Sequence, residues 1–225
     1  LDQTANGNDM SMNNGLSIIS GGVNGSLGGS LSFDGVDDYL LSQDFGLYNA
    51  PSMTFSMWFR TDNSSTQQSL VGSMGNGDSN GAGYRWRVNA NINNQIIFDL
   101  WDGNSSTIIS NDYIKIGEWN NIVIRAETGG FNEIFLNGQK QLQQSSISSI
   151  SPWGYLQLGT NLSGGSPSDS FSGEMDELAF YDSLLSDQEI QTQYNAVSAP
   201  SAVPLPAAFW LFGSALLGLA SVKRN

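Results

Sequence analysis

The sequence predicts an all-β fold, an antiparallel β-sandwich, with one short helix near residue 190 and a C-terminal hydrophobic helix. Three observations predict it. Apolar and polar residues alternate through short runs, the period of a half-buried strand. Those runs recur every eight to twelve residues or so, the spacing of sandwich strands. Between them stand Gly, Asn, Asp and Ser, the residues that turns require.

Taken in order, residues 1–29 are rich in Asn, Gly and Ser, with turn signals at Asn6-Gly7 and Asn13-Asn14-Gly15, and Leu16–Ile19 reads as a short strand. Leu31 and Phe33 point one way, Asp34-Gly35 turns the chain, and Tyr39 and Leu41 begin the next strand. Met53–Arg60 alternates without a break: Met53, Phe55, Met57 and Phe59 on one face, Thr54, Ser56, Trp58 and Arg60 on the other. Ser69–Met74 is a further strand. Tyr84, Trp86 and Val88 share a face opposite Arg85 and Arg87, and Gln95–Trp101 pairs with that strand through an Asn93-Asn94 turn. Thr107–Ser110 is short. Trp119–Glu127 alternates, Gly129-Gly130 turns into Glu133–Leu136, and Asn137-Gly138 is the strongest hairpin signal in the chain, leading to Lys140–Gln144. Tyr155–Leu158 and Glu174–Tyr181 are the last strands. Asp187–Tyr194 reads as a helix with Ser186 as its N-cap. Trp58, Trp86 and Trp119 are read as core.

Composition narrows the function. The chain has 225 residues, no Cys and no His, so disulfides, thiol chemistry and imidazole bases or ligands are excluded. Its formal charge is −13; with Lys223 and Arg224 in the tail, the remaining domain is near −15, a surface that repels nucleic acid. The division expected is a β-sandwich over 1–197, a linker over 198–206 and an anchor helix with a basic end over 207–225.

Several segments carry a resemblance: Leu31-Ser-Phe-Asp-Gly-Val-Asp-Asp-Tyr, Thr54-Phe-Ser-Met-Trp-Phe, Gly117-Glu-Trp-Asn-Asn-Ile-Val, Ile134-Phe-Leu-Asn-Gly, Gly173-Glu-Met-Asp-Glu-Leu-Ala-Phe-Tyr and Leu185-Ser-Asp-Gln-Glu-Ile. In this order they resemble a laminin G-like domain of the concanavalin A-like lectin/glucanase fold, a jelly roll. One departure is Asn120, where the family often has His. The β-glucan-cleaving enzymes of that fold use Glu-x-Asp-x-x-Glu on one strand, with carboxylates placed on opposite sides of a sugar. Here Glu174-Met-Asp176-Glu177 brings the third acid one residue early, and Ala179 takes the alternating position. No catalytic residue is therefore assigned. The strand is read as one whose Met175, Leu178 and Phe180 seal the sandwich.

Arg85, Arg87, Asp99 and Trp101 fall on one side of two adjacent strands and form the candidate ligand face, since sugars are held by aromatic stacking and planar hydrogen bonds. The alternative is a solvated charged face with Trp101 packed under a loop. The resemblance also implies a structural calcium ion, with Asp2, Asp34 and Asp176 as ligands. Against it stands an Asx turn at Asp34 and a frayed end at Asp2.

The tail reads Val203-Pro-Leu-Pro-Ala-Ala-Phe-Trp-Leu-Phe-Gly-Ser-Ala-Leu-Leu-Gly-Leu-Ala-Ser-Val-Lys-Arg-Asn225, uncharged from Ala207 to Val222. As a helix the uncharged run spans about 24 Å, near the short end of membrane spans. Val203, Pro204, Leu205, Pro206 and Ala207, the apolar run and the basic end resemble the VPLPA form of the PEP-CTERM sorting tails. That resemblance implies export, a temporary membrane anchor and recognition by an exosortase-type transpeptidase in a Gram-negative bacterium that makes extracellular polysaccharide. The chain opens at Leu1 with no visible leader, so a leader is expected to have been removed or to lie upstream. Two functions from different classes stand: a non-catalytic module that binds extracellular carbohydrate, matrix or a surface protein, and a structural or adhesive protein that assembles with its own copies. A glycan hydrolase is a third.

Overall fold

The computed structural model describes residues 9–23, 28–42, 51–63, 65–74, 84–101, 105–145, 155–162 and 166–198 of the chain. In chain order the strands begin with β1 (Met10–Asn13), β2 (Ser17–Ser20), β3 (Gly29–Asp34), β4 (Tyr39–Ser42) and β5 (Ser52–Arg60). They continue with β6 (Gln68–Met74), β7 (Tyr84–Ala90), β8 (Ile96–Trp101), β9 (Ser105–Ile109) and β10 (Asn120–Glu127). β11 (Phe131–Leu136), β12 (Gln139–Ser145), β13 (Tyr155–Leu158), β14 (Ser172–Tyr181) and the helix α1 (Asp187–Ser198) complete the order.

The strands form two seven-stranded antiparallel sheets. The front sheet runs β1-β4-β13-β6-β7-β8-β9 and the back sheet β12-β11-β10-β5-β14-β3-β2. The expected all-β jelly-roll sandwich is therefore present. Alternation explains how the sheets meet: Phe55, Met57 and Phe59 of β5 are fully buried and face Trp86, Val88 and Phe98 of the front sheet in one core. Phe55 lies 6.3 Å from Trp86, and Trp86 6.4 Å from Phe98, ring to ring. Burying side chains of this size supplies about 1.5–3 kcal/mol each, so the central strands carry most of the stability.

The turns follow their residues. Asn137-Gly138 adopts positive φ at both positions (51° and 75°), as a two-residue hairpin requires, and Asn14-Gly15 does the same. β1 was not expected; it is four residues of an Asn-rich stretch, and its pairing with β4 supplies what its own pattern lacks. The chain crosses at Asn14-Gly15 from the edge of one sheet to the edge of the other. α1 starts where Ser186 predicts: Ser186 Oγ accepts the Glu189 N–H, and Glu189 Oε2 accepts the Ser186 N–H at 2.7 Å, a capping box. It runs four residues beyond the expected end.

Of the three tryptophans read as core, Trp86 and Trp58 are buried, and Trp119 is not. Trp58 points outward from the back sheet and is buried under Tyr194 of α1, the rings stacked at 5.4 Å. Trp119 is half-buried beside the Arg60 guanidinium, 5.6 Å away. Asn120, in the place of the family's His, is fully buried. It ties down the turn before β10, giving its amide hydrogens to the Lys115 and Glu118 carbonyls and accepting the Lys115 N–H. Among the described residues no helix is long and apolar enough to cross a membrane. The expected tail helix over 207–225, with the sorting residues 203–207, lies outside the described residues.

Candidate functional site: the outward face of the front sheet

Side chains of the front sheet that do not face the core form its outward face. Register sets them in rows. Gly72 of β6, Arg87 of β7, Asp99 of β8 and Thr107 of β9 stand directly across from one another, and Gln157 of β13 continues the row beyond Gly72. Arg87 Nε donates to Asp99 Oδ2 at 2.9 Å, and Thr107 Oγ1 donates to Asp99 Oδ1 at 2.6 Å. The Arg87 and Asp99 side chains are 19% and 14% exposed, Thr107 is exposed, and Ile109 beside it is 40% exposed.

One end of the row is covered. Gln157 is buried, and its Oε1 accepts the Leu162 N–H at 3.1 Å from the segment after β13. The other end, over β8 and β9, is open among the described residues. A guanidinium locked to a carboxylate is neutral as a unit and offers planar donors and acceptors, a surface suited to hydroxyl groups rather than to an ion. Of the four residues expected on this face, the structure brings Arg87 and Asp99 together. Arg85 and Trp101 belong to the same two strands, and their side chains lie outside the described residues. Thr107 was missed, because its membership depends on the pairing of β8 with β9.

Glu174 and Asp176 of β14 are committed to the fold, and Glu177 is exposed. Glu174 pairs with Arg60 and accepts from Ser30 Oγ at 2.8 Å. Asp176 Oδ2 accepts the Val23 N–H and its Oδ1 the Glu177 N–H, at 2.8 and 2.9 Å. A β-bulge between Asp176 and Ala179 puts Glu177 in the left-handed region (φ 50°) and returns Phe180 to the core side. Met175, Leu178 and Phe180 do pack against the core, as expected.

The expected calcium ligands do not converge. Asp34 of β3 stands opposite Ser172, whereas Asp176 is four residues further along β14, roughly 13 Å at 3.3 Å per residue. Asp34 Oδ1 accepts the Val36 N–H at 2.8 Å, the Asx turn that was the alternative, and Asp2 lies outside the described residues. Asp34 has other neighbours instead: it forms a cluster with Asp37 and Asp38. Burial pushes the Asp38 carboxyl above the usual range, the Asp34 N–H draws it partly back, and the Asp34 and Asp37 charges push it up again.

No curated protein matches the sequence. Among solved structures the chain is similar to the binding domain of Paraclostridial Mosquitocidal Protein 1 (TM-score 0.68, 16% identity, 87% of this chain and 49% of that one). It is similar also to the receptor binding domain of botulinum neurotoxin D (0.65, 13%, 84% and 47%). A third is the binding domain of botulinum neurotoxin DC in complex with SialylT (0.63, 14%, 84% and 46%). The chain spans about half the length of each, and at these identities the likeness is one of fold. The laminin G model described as the concanavalin A-like lectin/glucanases superfamily matches residues 34–191, and with both sheets in place the chain belongs to that superfamily.

Proposed function

We propose that the protein is a non-catalytic binding module for extracellular carbohydrate or matrix material, and that ligand is held on the open end of the front sheet. The Arg87–Asp99–Thr107 row carries this reading, since it is a preorganised, neutral set of donors and acceptors on a half-open face. The commitment of Glu174 and Asp176 to Arg60, Ser30 and Val23 supports the absence of glycoside hydrolysis, which needs two unencumbered carboxyls facing one bond. The similar toxin domains are named as binding domains. A glycan array probed with the full chain tests it. Retained signal on at least one polysaccharide is expected, reduced about tenfold in Asp99→Ala; silence across the array refutes it.

Self-assembly is favoured by a different observation. Met12 and Ile18 sit on the two edge strands β1 and β2, opposite the core-facing Leu40 and Leu31, yet are 43% and 67% exposed. Residues 10–33 carry no charge at all in a chain of −13. Light scattering that shows concentration-dependent growth, together with silence on the array, would favour this reading.

The tail supports a location: export, with the chain held at the cell envelope through 203–225 until an exosortase-type transpeptidase acts on it. Deleting Val203–Asn225 is expected to release a folded protein to the medium. Retention of the truncated protein in the membrane fraction would overturn that.

A further inference from the structure

Helix α1 does not close completely on the back sheet. A cleft of about 200 Å³ remains between them and opens to solvent. Register builds its floor: Ser56 of β5 stands between Val123 of β10 and Ala179 of β14, and the next row sets Trp58 beside Asn121. The small Ala179 leaves the depth that a larger side chain would fill. Gln193 of α1 forms part of the roof, and its Nε2 donates to Tyr181 Oη at 3.2 Å across one side. The Tyr181 hydroxyl keeps its own hydrogen to give.

Two polar side chains on the floor are buried yet unspent. Ser56 is 7% exposed and Asn121 3%, and both line the cleft. Asn121 gives an amide hydrogen to the Met57 carbonyl at 3.2 Å, but among the described residues nothing bonds to its Oδ1 or to Ser56 Oγ. Buried polar groups without partners are costly, and in a cleft they mark where something from outside completes the bond. Glu177 stands on the rim. The bulge of β14 holds it at φ 50°, a left-handed conformation costly for glutamate, and such strain persists chiefly where it aims a side chain. Its carboxylate is exposed and joins none of the seven ion pairs among the described residues.

We propose that this cleft binds one sugar residue bearing a protonated amino group, a deacetylated hexosamine unit of an extracellular polysaccharide. Trp58 and Tyr181 offer apolar walls to ring carbons. Ser56 Oγ, Asn121 Oδ1 and the Tyr181 hydroxyl meet sugar hydroxyls, and Glu177 meets the ammonium. A neutral sugar leaves the Glu177 charge without a counterpart, and an acidic one is repelled by it. The formal charge of −13 also draws a cationic polymer towards the chain. The ligand class rests on the carbohydrate reading above; the cleft itself lies on the other sheet from the Arg87–Asp99–Thr107 row and stands on its own geometry.

Calorimetric titration of the full chain in mild detergent, at about pH 6 where the amine is charged, tests this. Glucosamine is expected to bind with a dissociation constant of about 0.1–1 mM, and N-acetylglucosamine about tenfold more weakly or worse. Glu177→Gln should weaken glucosamine binding about tenfold and Ser56→Ala about threefold. Neither should move the melting midpoint by more than about 2 °C, since neither side chain is bonded within the fold. Asp99→Ala should leave glucosamine binding unchanged. Equal affinity for the two sugars, no binding of glucosamine up to about 10 mM, or binding indifferent to both Glu177→Gln and Ser56→Ala overturns the proposal. Glucosamine binding lost in Asp99→Ala and kept in both cleft variants also overturns it, and leaves the carbohydrate reading of the front sheet standing.

Discussion

The two sheets turn different outward faces to the world. Each carries an Arg–carboxylate pair on adjacent strands, and the pairs have opposite settings. On the back sheet, Arg125 of β10 and Glu133 of β11 are 8% and 2% exposed at their side chains. Arg125 also donates to the Leu185 carbonyl and to Asp187, and Lys140 closes the group by pairing with Glu133 and Asp187. Helix α1 lies over them, its Ile190 packed with Val123 and Phe135 in a small second core. On the front sheet, Arg87 and Asp99 have a threonine for a third member and, among the described residues, no helix above them. The same chemistry therefore fastens a helix on one side and leaves a half-open polar row on the other. What separates the two settings is the element that covers the pair, more than the pair itself.

Removing the back-sheet arginine breaks this contrast most forcefully. Arg125→Ala leaves Glu133 buried with only Lys140 for charge, and it frees the start of α1; a loss of about 3–5 kcal/mol is expected in chemical denaturation. A loss below about 1 kcal/mol would mean the buried pair is no more important than an exposed one. The front-sheet counterpart, Asp99→Ala, should cost about 1 kcal/mol or less in stability while lowering glycan binding. Equal destabilisation by the two substitutions would erase the distinction between the faces.

Acid sharpens the comparison with the smallest effect. Burial raises the Asp187 carboxyl, but its hydrogen bonds and charge contacts with Arg125 and Lys140 outweigh that and hold the pKa below the ordinary 3.8. A depressed carboxyl stabilises the fold fully above its unfolded pKa and ceases to do so as pH falls through the folded one. Asp187→Asn should therefore melt below wild type at neutral pH and converge with it only as the pH falls well below 3.8. Asp187 is 60% exposed, so the gap should be only a degree or two.

Much of this was legible in the chain because it is local. Met53–Arg60 shows its two faces by alternation, Asn137-Gly138 gives its hairpin, and Ser186 with Glu189 gives the start of α1. The site was legible in part, since Arg87 and Asp99 lie on strands joined by a short turn and their pairing follows from it. Thr107 required a third strand's register. The placing of Asp34 with Asp37 and Asp38 rather than with Asp176 depended on how far apart β3 and β14 put their ends. What buries Trp58 was not legible, because period two assigns a side to a residue and is silent on what lies there; the outward side holds a helix.

The way α1 is attached has a mechanical consequence. Its second half stacks Tyr194 on Trp58, its first turn inserts Ile190, and its first residue, Asp187, is held by Arg125. A load applied beyond Ser198 reaches these in that order, so the attachments yield one after another, like tape lifted from one end. The helix is 12 residues long. Unravelling takes it from about 18 Å to about 40 Å, some 20 Å of slack paid out before any strand of the sandwich feels the pull.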